Sequence, residues 1–188
     1  MNNNSTSTNN EALFVFANSV DQQSVKDFVI NLINWSGNNA GRPLRVDINS
    51  QGGNILDGLM LFEEFARLRR QGHKLTIAVY GRAASVAGWL LQAADVRIIG
   101  ANSWLLIHEV HSRMEGSLTA LKQEVARCEQ LQDQTYGLLV ERSKLTRAQL
   151  DKETANGRDW WLSAPKVLEL GLADVVEYAS FSNTTTAA

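Results

Sequence analysis

The chain has 188 residues, and 44% of them are hydrophobic, which is enough for one globular domain with its own core. Its 18 basic and 20 acidic residues give a formal net charge of -2, which offers no broad electrostatic surface for nucleic acid or an anionic membrane. The single cysteine, Cys128, cannot form an intrachain disulfide and has no metal-ligand spacing around it. No membrane span, signal peptide or nucleotide fingerprint is present, so we expect a soluble, cytoplasmic protein without metal or cofactor.

Both ends of the chain have a polar composition. Asn, Ser and Thr dominate residues 1–11, and residues 179–188 have a similar bias. Such segments cannot bury enough apolar surface to offset the entropy lost on ordering. We therefore predict a disordered tail at 1–11, one folded domain at 12–178 and a flexible tail at 179–188.

Between the tails, the hydrophobic periodicity predicts strands that alternate with helices. The predicted strands cover residues 13–17, 44–49, 75–80, 96–99, 104–109 and 173–178. The predicted helices cover residues 21–35, 54–70, 85–94, 117–142, 146–154 and 163–170. Alternating strands and helices favour crossover connections and a largely parallel sheet, so the predicted fold class is α/β.

The predicted helix 117–142 has few apolar positions among many charged and amide side chains. Two interpretations fit this pattern about equally well. The helix either projects from the domain and meets a partner subunit, or it is a solvated helix whose charges pair along its surface.

Ser85 lies between an apolar strand pattern and a run of small and apolar residues that is typical of a buried helix. A serine at a helix start is close to unpaired N–H groups and to the positive end of the helix dipole, which stabilise an anion developing on a substrate carbonyl. Serine is also a favoured helix N-cap, so this position alone does not separate a nucleophile from a cap. The segment 49–54 adds a second site-like feature, because its two glycines allow the backbone to approach a ligand closely.

A serine nucleophile needs a base and a group that orients the base. Among the three histidines, His108 is the better candidate, because it stands with His111 at the end of an apolar strand, where parallel sheets place their ligands. His73 lies in a polar turn, and we expect it to be solvated. Periodicity leaves the orienting acid open, and the candidates are Asp47, Asp57, Asp95, Glu109, Asp159 and Asp174.

Four separated segments resemble the proteolytic subunit of the Clp protease in both order and spacing. They are Asn49-Ser50-Gln51-Gly52-Gly53, Gly81-Arg82-Ala83-Ala84-Ser85, Ile107-His108, and Arg158-Asp159-Trp160-Trp161-Leu162-Ser163-Ala164 followed by Gly171-Leu172-Ala173-Asp174. The resemblance runs from about residue 12 to residue 178. It implies a crotonase-like spiral of ββα units and a serine endopeptidase with Ser85 as nucleophile, His108 as general base and Asp159 as the group that orients the base. It also implies an oxyanion hole made by the backbone N–H groups of Gly53 and Val86.

The resemblance further implies how the protein assembles. Helix 117–142 would be a projecting handle through which two seven-membered rings stack into a chamber that admits peptides and unfolded proteins. Family members also work with an AAA+ unfoldase, docked through an N-terminal segment whose place is taken here by the polar tail. The chain departs from the family pattern at Gln51 and Val110, where proline is usual, and at Val86, where methionine is frequent.

Three other functions are compatible with this scaffold. They are a virus-encoded protease that matures capsid proteins, a crotonase-fold enzyme that acts on acyl-CoA substrates, and an inactive ring partner. The acyl-CoA enzyme would need the pair of N–H groups but no serine and histidine. The presence of Ser85, His108 and Asp159 favours the peptidase.

Overall fold

A computed structural model describes the protein from residue 11 to residue 179. The predicted tails lie outside the described residues, except for Glu11 and Ala179. Seven strands are present in this range: β1 (Ala12–Phe16), β2 (Leu44–Ser50), β3 (Leu75–Ala84), β4 (Val96–Gly100), β5 (Trp104–Ile107), β6 (Trp160–Ser163) and β7 (Val175–Glu177). The α-helices in the same range are α1 (Gln22–Ser36), α2 (Ile55–Arg70), α3 (Val86–Leu90), α4 (Leu118–Glu141), α5 (Arg147–Thr154) and α6 (Ala164–Glu169). Between residues 11 and 179, no helix combines the length and the apolar character needed to cross a membrane.

The strands form one sheet in the order β1-β2-β3-β4-β7, and every neighbouring pair on this path is parallel. β5 also pairs in parallel with β3, whereas β6 is antiparallel to β5. The predicted α/β class and largely parallel sheet are therefore confirmed.

β3 pairs with different neighbours along its length. Its first half, residues 76–79, pairs with β4, and its last residues, 82–84, pair with β5. Gly81 stands between the two halves with φ 89°, a conformation that other residues rarely adopt. The β2–β3 register also shifts, between Ile48 and Ser50. This change of direction carries the end of β3 away from β4 and towards β5.

Two long helices cover the sheet next to β1, β2 and β3. α1 begins at a capping box formed by Asp21 and Ser24, and α2 begins at Asn54, whose side chain accepts two backbone N–H groups. Each helix buries one apolar stripe. The fully enclosed side chains of these stripes include Val25, Leu32, Leu61, Phe65 and Leu68.

The structure differs from the sequence predictions in several local respects. β3 extends to Ala84 instead of ending at residue 80, and α3 ends at Leu90 and is followed by a 3-10 turn over Leu91–Ala93. The strand β6 was not predicted at all. His73 is buried and not solvated, because its Nδ1 atom lies 2.8 Å from the carbonyl oxygen of Arg42 and its ring packs on Trp35.

A buried arginine connects the base of α4 to the sheet. The guanidinium of Arg97 donates to the carboxylate of Asp174 at 2.5 Å, to the side-chain oxygen of Gln92 at 2.6 Å, and to the carbonyl oxygens of Arg142 and Gly171 at 2.7 and 2.9 Å. These hydrogen bonds from Arg97 hold the pKa of Asp174 below its ordinary value. The cluster ties the residues after α4 to β4 and to the turn before β7.

We predict that Asp174→Asn lowers the free energy of unfolding at pH 7 by about 2 kcal/mol, because it removes the charge partner of a buried guanidinium. The contribution of a carboxylate with a lowered pKa is present above about pH 4 and is lost as the pH falls through the folded-state value. Urea unfolding at pH 7 and at pH 3 measures both effects. Asp133→Asn is the matched control, because its ion pair with Arg147 is exposed and should change stability by no more than about 0.5 kcal/mol. Equal stability of both variants at pH 7 would contradict the prediction.

Candidate active site

Ser85 occupies the turn between β3 and α3 in a strained backbone conformation. Its φ is 56° and its ψ is -124°, whereas an ordinary helix N-cap is extended. The side chain makes no capping hydrogen bond. Its backbone N–H donates to the carbonyl oxygen of Leu106 on β5 at 2.9 Å. Ser85 therefore stands at the N-cap position of α3, but the expected capping by its side chain is absent.

Two glycines allow neighbouring segments to pack closely on the turn that contains Ser85 and on α3. A Cβ atom on Gly52 would lie 2.4 Å from the carbonyl oxygen of Ala84 and 2.9 Å from Cβ of Ser85. A Cβ atom on Gly58 of α2 would lie 2.2 Å from a methyl group of Val86. The turn after β2 and the first turns of α2 thus pack directly on the serine turn and on α3.

The diglycine turn exposes a backbone donor at the same place. Val20 donates to the carbonyl oxygen of Gly52 and accepts from Asn54, both at 2.8 Å, so it forms a parallel bridge with Gly53. In a parallel bridge the N–H of the central residue points away from its partner. Within residues 11 to 179, the N–H of Gly53 has no acceptor, and the same is true of the N–H of Val86 in the first turn of α3.

His108 directly follows β5, which ends at Ile107 and not at residue 109 as predicted. Its Nδ1 atom lies 2.6 Å from the backbone carbonyl oxygen of Glu109, and because a carbonyl only accepts, Nδ1 carries the proton. The unprotonated Nε2 of the neutral ring is then the atom that can accept a proton. Burial lowers the pKa of His108 and the nearby His111 lowers it further, against the opposing effects of the Glu109 hydrogen bond and the charges of Asp159 and Glu109.

One open cavity of about 110 Å³ brings these groups together. Four predicted site residues line it: Gly53, Ser85, Val86 and His108. Polar side chains of Glu109, His111 and Thr135 complete the polar part of the lining. Its apolar lining includes Ile55, Trp89, Ile107, Tyr136 and Leu139. Among the described residues the hydroxyl of Ser85 has no hydrogen-bond partner, so Ser85 and His108 share the cavity without a direct bond. Such catalytic contacts are frequently loose before substrate binds.

The structure gives different surroundings to the six acids that the sequence offered as the group orienting the base. Asp47, Asp95 and Asp174 each form an ion pair with an arginine elsewhere, and Asp57 lies in the first turn of α2. The side chain of Glu109 lies near Gly157. Asp159 precedes β6, whose first residue, Trp160, pairs with Ile107.

The register of β5 and β6 puts Asp159 opposite His108, one step beyond the pair formed by Ile107 and Trp160. Asp159 is exposed, does not line the cavity and makes no hydrogen bond to His108. Burial lowers the pKa of His108, and the negative charge of Asp159 opposes this effect. Of the three residues predicted as a triad, the structure brings Ser85 and His108 into one cavity, whereas Asp159 is not part of its lining.

Comparison with known protein families gives a match over nearly the whole chain. A model of the Clp protease family matches residues 2 to 179. The chain belongs to the Clp protease family. It is similar to the ATP-dependent Clp protease proteolytic subunit 4 of Rhodococcus jostii (strain RHA1), with 27% identity over 171 residues that cover 89% of this chain and 84% of that protein.

Sequence reasoning missed several residues of the cavity. Trp89 and Tyr136 contribute large apolar surfaces, and Tyr136 donates from its hydroxyl to Thr154 at 2.8 Å, which fixes its ring. The apolar run after Ser85 contained the signal for Trp89, but no periodicity shows which side of a helix faces a cavity. Within the described residues, no three His, Cys, Asp or Glu side chains are grouped as metal ligands would be.

We predict that Gly52→Ala displaces the serine turn. Gly52 has φ 84°, and its added methyl group would overlap Ala84 and Ser85. Gly72→Ala is the matched control, because Gly72 has φ 88° but nothing within 4 Å of its added Cβ. We expect Gly72→Ala to cost about 1 kcal/mol for the backbone alone, and Gly52→Ala to cost clearly more. Thermal unfolding of both variants measures this, and equal losses would contradict the close packing.

Proposed function

We propose that this protein is a serine endopeptidase in which Ser85 is the nucleophile and His108 the general base. The observation that carries the proposal is the single cavity in which a serine hydroxyl, an imidazole and two unpaired backbone N–H groups meet. The strained conformation of Ser85 supports it, because such strain is concentrated at functional residues. Membership of the Clp protease family supports the same reaction.

The proposed reaction is acyl transfer through an enzyme ester. Oγ of Ser85 attacks the peptide carbonyl carbon while its proton moves to Nε2 of His108. The N–H groups of Gly53 and Val86 donate to the oxyanion of the tetrahedral intermediate, which then collapses as His108 gives its proton to the departing amine. A water molecule that loses its proton to His108 attacks the ester, and the second collapse returns the proton to Ser85.

We assign Asp159 to the stabilisation of the His108 imidazolium. The resting hydrogen bond to the Glu109 carbonyl already selects the tautomer with a proton on Nδ1. A carboxylate stabilises the positive ring that forms during the reaction better than a neutral carbonyl does. The position of Asp159 opposite His108, one step beyond the last pair of β5 and β6, supports this assignment.

We further propose that the chain adopts the crotonase-like spiral and that α4 is the handle of stacked seven-membered rings. In support, no residue of α4 from 118 to 134 is buried, and Thr135, Tyr136 and Leu139 anchor only its last turns. Leu118 and Val125 are 69% and 47% exposed, as side chains that a partner subunit would cover. The proposed substrates are peptides and unfolded proteins that enter a chamber, with an AAA+ unfoldase as a possible partner of the rings.

A fluorophosphonate probe should label the purified protein once, on Ser85, because this class of reagent reacts with activated serine hydroxyls. Intact-mass spectrometry is the measurement, and Ser85→Ala should remain unlabelled and lose peptide hydrolysis. Ser112→Ala is the matched control, since it removes an exposed hydroxyl near the same cavity and should be labelled like the parent. An unlabelled but folded parent protein would contradict the proposed function.

Asp159→Asn should lower kcat/KM for a peptide substrate by about 10²- to 10⁴-fold, because the imidazolium loses its charge partner. Glu109→Gln should change kcat/KM by much less, since only the backbone carbonyl of Glu109 bonds to the ring. Steady-state kinetics on both variants decides between the two acids. A larger loss in Glu109→Gln would transfer the role to Glu109.

A further inference from the structure

A second imidazole lies against His108. The ring of His111 is 4.5 Å from that of His108 between centroids, with 50° between the ring planes. His111 is exposed and lines both the cavity of Ser85 and an adjoining cavity on the side of α4. The resemblance to the Clp family assigned no role to this residue, and the proposed mechanism does not use it.

The segment that carries both histidines is anchored to α4. The backbone N–H of Val110, midway between them, donates to Oε1 of Gln132 at 2.8 Å. The carbonyl of Glu109 accepts from His108. The ring of His108 therefore makes a hydrogen bond to the carbonyl oxygen of Glu109 and also lies against the ring of His111.

We propose that His111 is a positioning residue of the site, whose imidazole fixes the ring of His108 and, when it carries a proton, resists protonation of His108. This inference rests on the proposed role of His108 as general base. Two like charges in adjacent rings are unfavourable, so a proton on the exposed ring opposes a second proton on the half-buried one. The base would then remain neutral, and competent, to lower pH than an isolated histidine.

Several charged side chains surround the two imidazoles. On the histidine segment itself, Glu109 favours a proton on His108, and Asp159 before β6 does the same. On α4, Glu124 lies in the adjoining cavity with Arg127, and the two side chains are paired at 2.5 Å. Two further titratable side chains of α4, Cys128 and Tyr136, line these cavities. The residues of α2 that line them are uncharged. Like-charge repulsion of His108 by a second imidazole is therefore specific to His111.

A charge series at position 111 tests the inference on the full-length protein. His111→Phe keeps a ring without charge, and His111→Lys carries a charge at every pH of interest. Histidine labelled with ¹³C at Cε1 reports the protonation of His108 by NMR, with His108→Gln for assignment. We expect the titration midpoint of His108 to be highest in His111→Phe and lowest in His111→Lys, and we expect the spread to shrink in 1 M salt. Arg113→Gln is the control, because it removes an exposed charge from the same segment outside both cavities and should leave the midpoint unchanged.

The rate of Ser85 labelling provides a second readout. At pH 6, His111→Phe should react about three- to tenfold more slowly than the parent, which corresponds to a rise of half to one pH unit in the acid limb. At pH 8.5 the two should react equally, whereas His111→Ala should react more slowly at both pH values because its ring no longer supports His108.

Identical midpoints across the charge series would overturn the inference, and so would losses of rate that are equal at every pH. Such losses would indicate a role of His111 in binding substrate alone. If Ser85 is not labelled in any variant, the proposed peptidase function fails, and the NMR titration still decides whether His111 controls the proton on His108.

Discussion

The hydrogen bond from the N–H of Ser85 to the carbonyl oxygen of Leu106 is the constraint on which the site depends. It joins the turn after β3 to β5, two residues before His108, and so fixes the distance between the proposed nucleophile and the proposed base through rigid backbone. The bond is possible only because β3 leaves β4 near Gly81 and continues beside β5. If β3 continued straight beside β4, its end would not pair with β5, and Ser85 would lack the backbone bond that connects it to the strand before His108.

Close backbone packing turns this connection into a preorganised site. The strain at Ser85 persists because the turn is held from several directions: by β5, by Gly52 and, through α3, by Gly58. The same packing brings Gly53 and Val86, whose N–H groups have no acceptor among the described residues, to the lining of the cavity. Donors that are fixed before substrate arrives require no reorganisation during the reaction, and this is the source of most electrostatic catalysis. Glycine is therefore needed at positions 52 and 58, because a side chain there would push the turn after β2 and α2 away from the serine turn and α3.

The sequence predicted the parts of this structure that local patterns encode. The amphipathic stripes of α1 and α2 and the small apolar run after Ser85 gave the right elements, because burial on one side imposes a period. The sequence analysis missed β6. Residues 160–163 are too few to display the alternation of polar and apolar side chains that marks a strand, and they form one only by pairing with β5. The sequence prediction was also wrong for His73. Its polar neighbours suggested exposure, but its ring bonds to the carbonyl oxygen of Arg42, which is 31 residues away in the sequence. The same limit applies to the orienting acid: periodicity could not choose among six carboxylates, and only the register of β6 brings Asp159 opposite His108.

At two of the three positions where this chain departs from the family pattern, a residue that forms a hydrogen bond stands in place of proline. Proline has no N–H to donate and no polar side chain. Val110 uses its N–H to bind Gln132, and Gln51 uses its side-chain amide to bind Ser19 at 2.9 Å. Both departures thus replace a rigid residue by a hydrogen bond that ties the same loop to a neighbouring element. At Val86 the contribution to the proposed oxyanion hole is a backbone N–H, which a change of side chain leaves in place. The two hydrogen bonds hold the segments that follow β2 and β5, and neither bond uses a group proposed to carry out the chemistry.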